Sequence, residues 1–325
     1  EDKAIKGVSA KDMETGEDYQ FFGDAIINAT GVFTDDILKM ENPNARNMVK
    51  PSQGVHLVFD KSFLPGEDAI MIPKTEDGRV LFAVPWHDKV IVGTTDTQLD
   101  EHSLEPSALE KEIEFILETF NNYLEKKVTR ADVRSIYAGL RPLAAPKDGS
   151  EKSKEISRSH KILVSETGLI TITGGKWTTF RRMAQDTVNK AISLGKLPKK
   201  ECKTADLKIH GAKENPDLSN HLYIYGSDQP EIQNLINEDS SLGEKLHPRL
   251  DFLKAEVVFA ARHELARTVD DVLARRVRML FMDAKAAIES APEVAALLAK
   301  ELEKDEAWKE KQVADFKEIA KHYTI

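Results

Sequence analysis

Up to about residue 180, hydrophobic positions alternate with polar ones or form short runs between turn residues, which is typical of β-strands. Turn residues such as Pro65-Gly66 and Asp77-Gly78 separate the runs between residues 54 and 93. This spacing predicts a meandering antiparallel sheet. The predicted strands cover residues 25–29, 54–59, 69–72, 79–84, 89–93 and 169–173.

Helices are the minority in this first half. One is predicted between the strands, because Ile113, Ile116, Leu117, Phe120 and Leu124 fall on one face at helical spacing. A second is predicted directly after the last strand, with apolar positions running from 180 to 192.

From about residue 199, Ala, Glu, Lys, Leu and Arg dominate, and the pattern becomes helical. An apolar stripe runs through residues 258–280, within which Thr268 and Asp271 resemble a capping box. We therefore expect a break near Thr268 between two helices. Further helices are predicted to start near Pro292 and around Glu306.

The change of pattern predicts an α+β fold with two domains, residues 1–198 and an all-α domain at 199–325. The formal charge of −9 argues against general nucleic-acid binding. The single cysteine, Cys202, excludes an intramolecular disulfide and a cysteine-cluster metal site, and it favours a reducing compartment. No apolar run approaches the roughly 18 residues that span a bilayer, and the start of the chain lacks the apolar region of a signal peptide.

The sharpest local feature is the stretch Gly174, Gly175, Lys176, Trp177 and Thr178, which lies between a strand and a helix. Glycines let the backbone approach a ligand, the first helical turn leaves N–H groups unpaired, and Lys176 adds positive charge. The stretch therefore predicts an anion-binding turn. The alternative is an ordinary strand-to-helix turn with an exposed lysine, and the spacing is not that of a P-loop.

Four other positions are weaker candidates. The turn formed by Ala29, Thr30 and Gly31 follows a predicted buried strand. Many strands end in such a glycine turn without any binding role. Arg141 lies between apolar neighbours and needs a partner, Arg158 lies in a polar stretch, and His56 lies within an apolar strand. A lone histidine in such a strand is more often a satisfied core residue than a base, and no histidine spacing indicates a metal site.

Together these pieces occur in the order seen in FAD-dependent glycerol-3-phosphate dehydrogenases, and the resemblance covers nearly the whole chain. It implies the C-terminal part of an FAD-binding domain with a mixed, partly antiparallel substrate-binding sheet, followed by a helical cap. The G-x-G-x-x-G fingerprint of the family's opening βαβ unit is absent, so we expect a fragment that binds FAD poorly by itself. The motifs that carry the resemblance are residues 27–31 (INATG), 51–56 (PSQGVH), 92–97 (VGTTDT), 137–143 (YAGLRPL), 157–158 (SR), 173–181 (TGGKWTTFR), 202–204 (CKT) and 266–276 (ARTVDDVLARR).

The resemblance implies oxidation of sn-glycerol 3-phosphate to dihydroxyacetone phosphate, with hydride transfer to FAD and electrons passing to a quinone. Arginines bind phosphate bidentately, which makes Arg141 and Arg158 the first choices for substrate contacts, with Lys176 serving substrate or flavin. His56 is the candidate base for the C2 hydroxyl, with Arg141 also assigned to catalysis. The cofactor-binding set is Ala29, Thr30, Gly31, Gly174, Gly175, Lys176, Trp177 and Thr178.

Three alternatives stand beside this interpretation. A glycerol-3-phosphate oxidase is disfavoured by the short loop between Leu143 and Ser157, where oxidases of this group carry a long insertion. A non-catalytic helical interaction module is the alternative from another class, and an amine or amino-acid oxidase is the third. We expect a cytoplasmic protein, and peripheral contact with the inner face of the cell membrane and a homodimer are compatible with this class.

Overall fold

The computed structural model describes residues 4–73, 75, 78–145 and 159–325. Its residues form two compact units, each assembled from separate stretches of chain. Unit 1 comprises Glu1–Gln53, Asp96–Ser103 and Leu140–Leu207, and unit 2 comprises Gly54–Thr95, Leu104–Gly139 and Lys208–Ile325. The boundary predicted between residues 198 and 199 stays a prediction.

Unit 1 contains a hairpin of two exposed strands and a mixed three-stranded sheet. In the mixed sheet, β10 (His160–Val164) pairs antiparallel with β11 (Ile170–Gly174), and β11 pairs parallel with β3 (Ile27–Asn28). A helix follows each member of the parallel pair, as the sequence predicts after the second of them. The elements are β1 (Gly7–Lys11), β2 (Asp18–Phe22), β3 (Ile27–Asn28), α1 (Thr34–Glu41), β8 (Thr97–Gln98), β10 (His160–Val164), β11 (Ile170–Gly174) and α3 (Phe180–Ser193).

The predicted antiparallel meander is confirmed. Its strands lie in the order β5 (Ile70–Ile72), β6 (Leu81–Trp86), β7 (Lys89–Gly93) and β4 (Val49–Asp60). Two long strands, β4 and β9, run through both units; they pair with each other, and β8 pairs with β4 at Ser52 and Gln53. Strand β9 was not predicted, because Gly139 and Pro142 weaken its strand character. The strands are β4 (Val49–Asp60), β5 (Ile70–Ile72), β6 (Leu81–Trp86), β7 (Lys89–Gly93) and β9 (Ser135–Ala144).

One face of this meander packs against helix α2 (Glu110–Asn121), which confirms the helix predicted from its apolar spacing. Leu57, Ile116 and Phe120 are each 0% exposed there. Burial of a side chain of this size stabilises the fold by about 1.5–3 kcal/mol. Side chains alternate along a strand, so His56 lies on the opposite face of β4 from Leu57.

The part of unit 2 after Leu207 is helical, as predicted, and forms its own cores. The break near Thr268 is confirmed: Asp271 N donates to Thr268 Oγ1 at 3.0 Å, and Thr268 N donates to Asp271 Oδ2 at 3.1 Å. A short π-helical segment follows at Asp271–Arg276. The α-helices are α4 (Gln229–Glu238), α5 (Lys254–His263), α6 (Met279–Met282), α7 (Ala284–Glu301) and α8 (Glu306–Ala320).

The helix start predicted near Pro292 is wrong, whereas the one around Glu306 is confirmed. Helix α7 begins eight residues earlier, where Asp283 accepts a hydrogen bond from Ala286 N at 2.9 Å, and it runs through Pro292. An internal proline costs a helix about 3 kcal/mol. The buried alanines on both sides of Pro292, with Val294 and Leu298 after it, offset that cost, and a local start signal does not reveal such packing.

Among the helices of the described residues, none combines the length and apolar character needed to cross a membrane. The same residues contain no group of three or more His, Cys, Asp or Glu side chains arranged to hold a metal ion.

Candidate functional site

The parallel pair β3 and β11 brings two of the predicted site segments to one edge of a sheet. Ile27 pairs with Ile170 and Asn28 with Thr171, so both strands point their carboxyl ends the same way. Each then enters a turn and a helix, which is the arrangement that places ligands in α/β sheets. We call residues 29–31 and 174–178 the strand-end turns.

Asn28 holds the first strand-end turn in place. Its Nδ2 donates to the Thr34 carbonyl at 3.0 Å, and its Oδ1 accepts from Thr30 Oγ1 at 2.8 Å. Gly31 has φ +64°, and a Cβ built there meets nothing within 4 Å. The turn is therefore fixed from the protein side and open on the side that a side chain of residue 31 would occupy.

The second strand-end turn needs both of its glycines. Gly174 and Gly175 have φ +74° and +78°, in the left-handed region that favours glycine. A Cβ on Gly175 would lie 2.6 Å from Met183 Sδ, and one on Gly174 would lie 3.0 Å from the Ser159 carbonyl oxygen. The protein itself occupies the space beside these glycines, a constraint that the sequence pattern does not reveal.

The side chains that follow the glycines are exposed. Trp177 is 87% exposed and stacks on Phe180, with ring centroids 5.9 Å apart. Lys176 is exposed as well, while its backbone N donates to Thr179 Oγ1 at 3.3 Å. The Lys176 ammonium group therefore supplies the accessible positive charge of this turn, next to the start of α3.

Arg141 lies on β9 and has the partner that its apolar neighbours require. Its Nη1 lies 3.8 Å from Asp96 Oδ1, and Ser52 Oγ donates to the same carboxylate oxygen. Both charged side chains are more than a third exposed, so the pair contributes only about 0–1 kcal/mol to stability. Sequence reasoning missed Asp96, although it stands in the VGTTDT motif. Arg158 lies outside the described residues.

His56 lies in unit 2, between two strands that both pair with β4. Its imidazole stacks on Tyr137 of β9, with ring centroids 5.1 Å apart and planes 17° from parallel. On β7, a Cβ on Gly93 would lie 2.4 Å from His56 Cδ2. The imidazole thus uses space that any other residue at position 93 would fill. We call Tyr137, His56 and Gly93 the histidine row.

Tyr137 is held from its far side by the helical part of unit 2. Its ring meets the edge of Phe281 on α6 at 5.1 Å and 77°. Burial raises the pKa of the Tyr137 hydroxyl to about 12. Tyr137 belongs to the YAGLRPL motif, but the sequence does not predict its contact with His56. That contact joins residues 81 positions apart through strand pairing.

The comparisons with known proteins cover both halves of the chain. Residues 1–181 match the family described as FAD dependent oxidoreductase, and residues 165–309 match the C-terminal domain of alpha-glycerophosphate oxidase. A mitochondrial glycerol-3-phosphate dehydrogenase of Arabidopsis thaliana is 37% identical, covering 98% of this chain and 55% of its own length. The human mitochondrial enzyme is 35% identical, with 95% and 45% covered.

A solved structure gives the same result for the fold. The glycerol-3-phosphate dehydrogenase from Bacillus halodurans complexed with FAD superposes with a TM-score of 0.82 at 26% identity, covering 99% of this chain and 67% of that one. The chain spans about half the length of the curated relatives it matches. Because the first family model covers more than half of the 325 residues, the chain belongs to the FAD-dependent oxidoreductase family.

Proposed function

We propose that the chain forms part of an FAD-dependent glycerol-3-phosphate dehydrogenase, which oxidises sn-glycerol 3-phosphate to dihydroxyacetone phosphate. The observation that carries the proposal is the pair of strand-end turns, which lie at one edge of a parallel strand pair in a chain that aligns over 99% of its length with a dehydrogenase complexed with FAD. The names of the sequence relatives support the same substrate.

The residues at the strand-end turns fit an FAD molecule. Gly31 is open on its side-chain side, and Trp177 and Thr178 present exposed groups at the start of a helix. A helix start favours negative charge through its unpaired N–H groups and dipole. We assign Ala29, Thr30 and Gly31 with residues 174–178 to holding the cofactor, which when bound accepts the hydride from C2 of the substrate.

Arg141 and Lys176 are the described cations that we assign to the substrate phosphate, together with Arg158 from the sequence. A phosphate dianion is held best by a planar guanidinium fork plus further positive charge. The exposure of Arg141 supports this, because more than a third of its side chain is open to solvent.

His56 is the residue that we assign to accept the proton of the C2 hydroxyl. Imidazole is the side chain whose ordinary pKa lies nearest neutral pH, which suits a general base. The residue is partly buried and lies on the face of β4 turned away from the core.

The test uses an FAD-loaded protein that includes this chain and compares sn-glycerol 3-phosphate with glycerol as substrates. Arg141→Ala should lower kcat/KM by about 30-fold or more while flavin content stays unchanged, because a charged contact is lost. Arg182→Ala is the matched control, since Arg182 is an exposed arginine paired with Asp186 on α3. Equal oxidation of glycerol, or normal kinetics in Arg141→Ala, would contradict the substrate assignment.

A second candidate function is a glycerol-3-phosphate oxidase. The match of residues 165–309 to the C-terminal domain of alpha-glycerophosphate oxidase favours it, whereas the dehydrogenase names of the curated relatives favour an acceptor other than oxygen. Oxygen consumption and peroxide formation, measured with and without a soluble quinone, separate the two. We propose the quinone, so rapid peroxide formation with no stimulation by quinone would support the oxidase.

We also propose a cytoplasmic location with peripheral contact to the inner face of the cell membrane, and assembly as a homodimer. The membrane contact follows from the need to deliver electrons to an apolar quinone, and the location and the dimer are compatible with this class of enzyme. Fractionation of cells in low and high salt tests the membrane contact, since a peripheral protein is released by salt whereas a purely soluble one never sediments. Sedimentation velocity tests the dimer.

A further inference from the structure

Within unit 2, His56 is the first member of a chain of aromatic contacts that a general base alone does not require. Three aromatic contacts run in sequence away from the imidazole: His56 on Tyr137, Tyr137 on Phe281, and Phe281 on Tyr323 with ring centroids 5.3 Å apart. Tyr323 in turn donates from its hydroxyl to Glu105 at 3.2 Å. This series of contacts thus joins strand β9, near the middle of the chain, to elements near its end.

Two hydrogen bonds fix the start of β9 to the same helical elements. Ser135 Oγ donates to the Leu280 carbonyl at 2.8 Å, and Ala284 N donates to the Arg134 carbonyl at 3.0 Å. These two bonds lie just before Tyr137 in the chain and just on either side of Phe281. Tyr137 and Phe281 are therefore held at a set distance by these two hydrogen bonds as well as by their rings.

The imidazole has little freedom to rotate in this setting. The Tyr137 ring covers one of its faces, and the imidazole packs so close to Gly93 that a Cβ there would lie 2.4 Å from Cδ2. Offset stacking of two rings is worth about 0.5–1.5 kcal/mol beyond burial, enough to select one orientation among those that the strand allows.

We infer that Tyr137, braced by Phe281, is a positioning residue that fixes the ring plane of His56 for proton transfer. The inference rests on the proposed function in one respect, the role of His56 as the base. It assigns to the C-terminal helices a part in catalysis, because α6 supplies the ring that keeps Tyr137 against the imidazole. The ring of Tyr137 is what matters, and its hydroxyl is not required.

The first measurement reads the geometry without any turnover. In the 325-residue chain labelled at the histidine ring carbons, the His56 ring protons should carry an upfield ring-current shift, assigned by its loss in His56→Gln. Tyr137→Phe should retain that shift, and Tyr137→Leu and Phe281→Leu should reduce it. Phe63→Leu, which removes an aromatic ring from the opposite face of the same sheet, should leave it unchanged.

The second measurement uses the FAD-loaded protein that includes this chain. Tyr137→Leu should lower kcat about tenfold with little change in KM, since a misplaced base affects the reaction step rather than binding. Tyr137→Phe should have the same kcat as the unmodified protein, because it keeps the aromatic ring. A merely structural role predicts instead that Tyr137→Leu and Phe63→Leu lower the melting temperature alike and leave kcat per folded molecule unchanged.

The outcomes separate this inference from the function on which it rests. If His56→Gln keeps full kcat, the assignment of the base fails whatever the spectra show. If His56→Gln loses activity while Tyr137→Leu keeps full kcat, the positioning role is overturned and the base assignment stands.

Discussion

The strand-end turns of unit 1 and the histidine row of unit 2 both depend on glycine, but only the strand-end turns also need its left-handed backbone. Gly174 and Gly175 are needed because their backbone is left-handed and the protein's own atoms fill the space beside them. Gly93 is needed because another side chain, the imidazole of His56, lies in the space that it leaves. One region is shaped by backbone conformation and exposed charge, and the other by packed rings. Substitutions should therefore affect the two regions through different physical quantities.

The largest effect is expected from Gly175→Val, which should lower the free energy of unfolding by roughly 2–5 kcal/mol. The left-handed φ is strained for a β-branched residue, and the new Cβ would lie 2.6 Å from Met183 Sδ. Gly31→Ala is the matched control, because it has the same sign of φ and open space around it, so only the backbone cost of about 1 kcal/mol remains. Urea denaturation measures both.

Equal losses in Gly175→Val and Gly31→Ala would mean that backbone strain alone explains the second strand-end turn. In the FAD-loaded protein we also expect Gly175→Val to lose flavin, since the displaced turn belongs to the set assigned to the cofactor.

The next effect is a dependence of stability on alkaline pH in the histidine row. Burial raises the pKa of Tyr137 from 10.0 to about 12 in the folded state, so the unfolded chain releases that proton first as pH rises. The contribution of Tyr137 is therefore fully present below pH 10 and is lost as pH approaches 12, by about 2–3 kcal/mol in total.

Tyr137→Phe removes this titration and keeps the ring. The difference in unfolding free energy between the wild type and Tyr137→Phe should therefore change between pH 9 and pH 12 in favour of the variant. A difference that stays constant over that range would show that the hydroxyl titrates alike in the folded and unfolded states.

The smallest effect on stability is expected from Lys176→Met, because an exposed side chain without close packing contributes within about 0.5 kcal/mol. The redox behaviour of the bound flavin should nevertheless change in Lys176→Met. Loss of the positive charge beside the start of α3 should lower the flavin reduction potential, measured by redox titration of the FAD-loaded protein. A potential equal to that of the unmodified protein, with flavin retained, would return this segment to an ordinary strand-to-helix turn.

Local signals in the sequence predict much of this structure. The spacing of Ile113, Ile116 and Phe120 predicts helix α2, and Thr268 with Asp271 predicts the break in the helical half. In each case the residues that decide the structure are within one or two helical turns of each other, so the pattern contains the information.

The rest depends on contacts between distant residues. The helix through Pro292 is stabilised by packing that overrides a local rule, and β9 forms despite Gly139 and Pro142 because β4 supplies its partner. The same holds for the candidate site. The glycine pair of the second strand-end turn was found from its composition, whereas the contact of Tyr137 with His56 follows from strand pairing and could not be read from either residue alone.

The interleaving of the two units has a consequence for the order in which the protein folds as it is synthesised. All residues of unit 1 in this chain have been synthesised once Leu207 has left the ribosome, whereas the sheet of unit 2 still lacks the helical partners of Ser135 and Arg134, which come about 145 residues later. Long-range pairing of this kind folds slowly, because the loop must close before its contacts form. During that interval the sheet of unit 2 is exposed where the helical segments later contact it. A pause in translation after Leu207 should therefore increase aggregation more than a pause of equal length before Gly54.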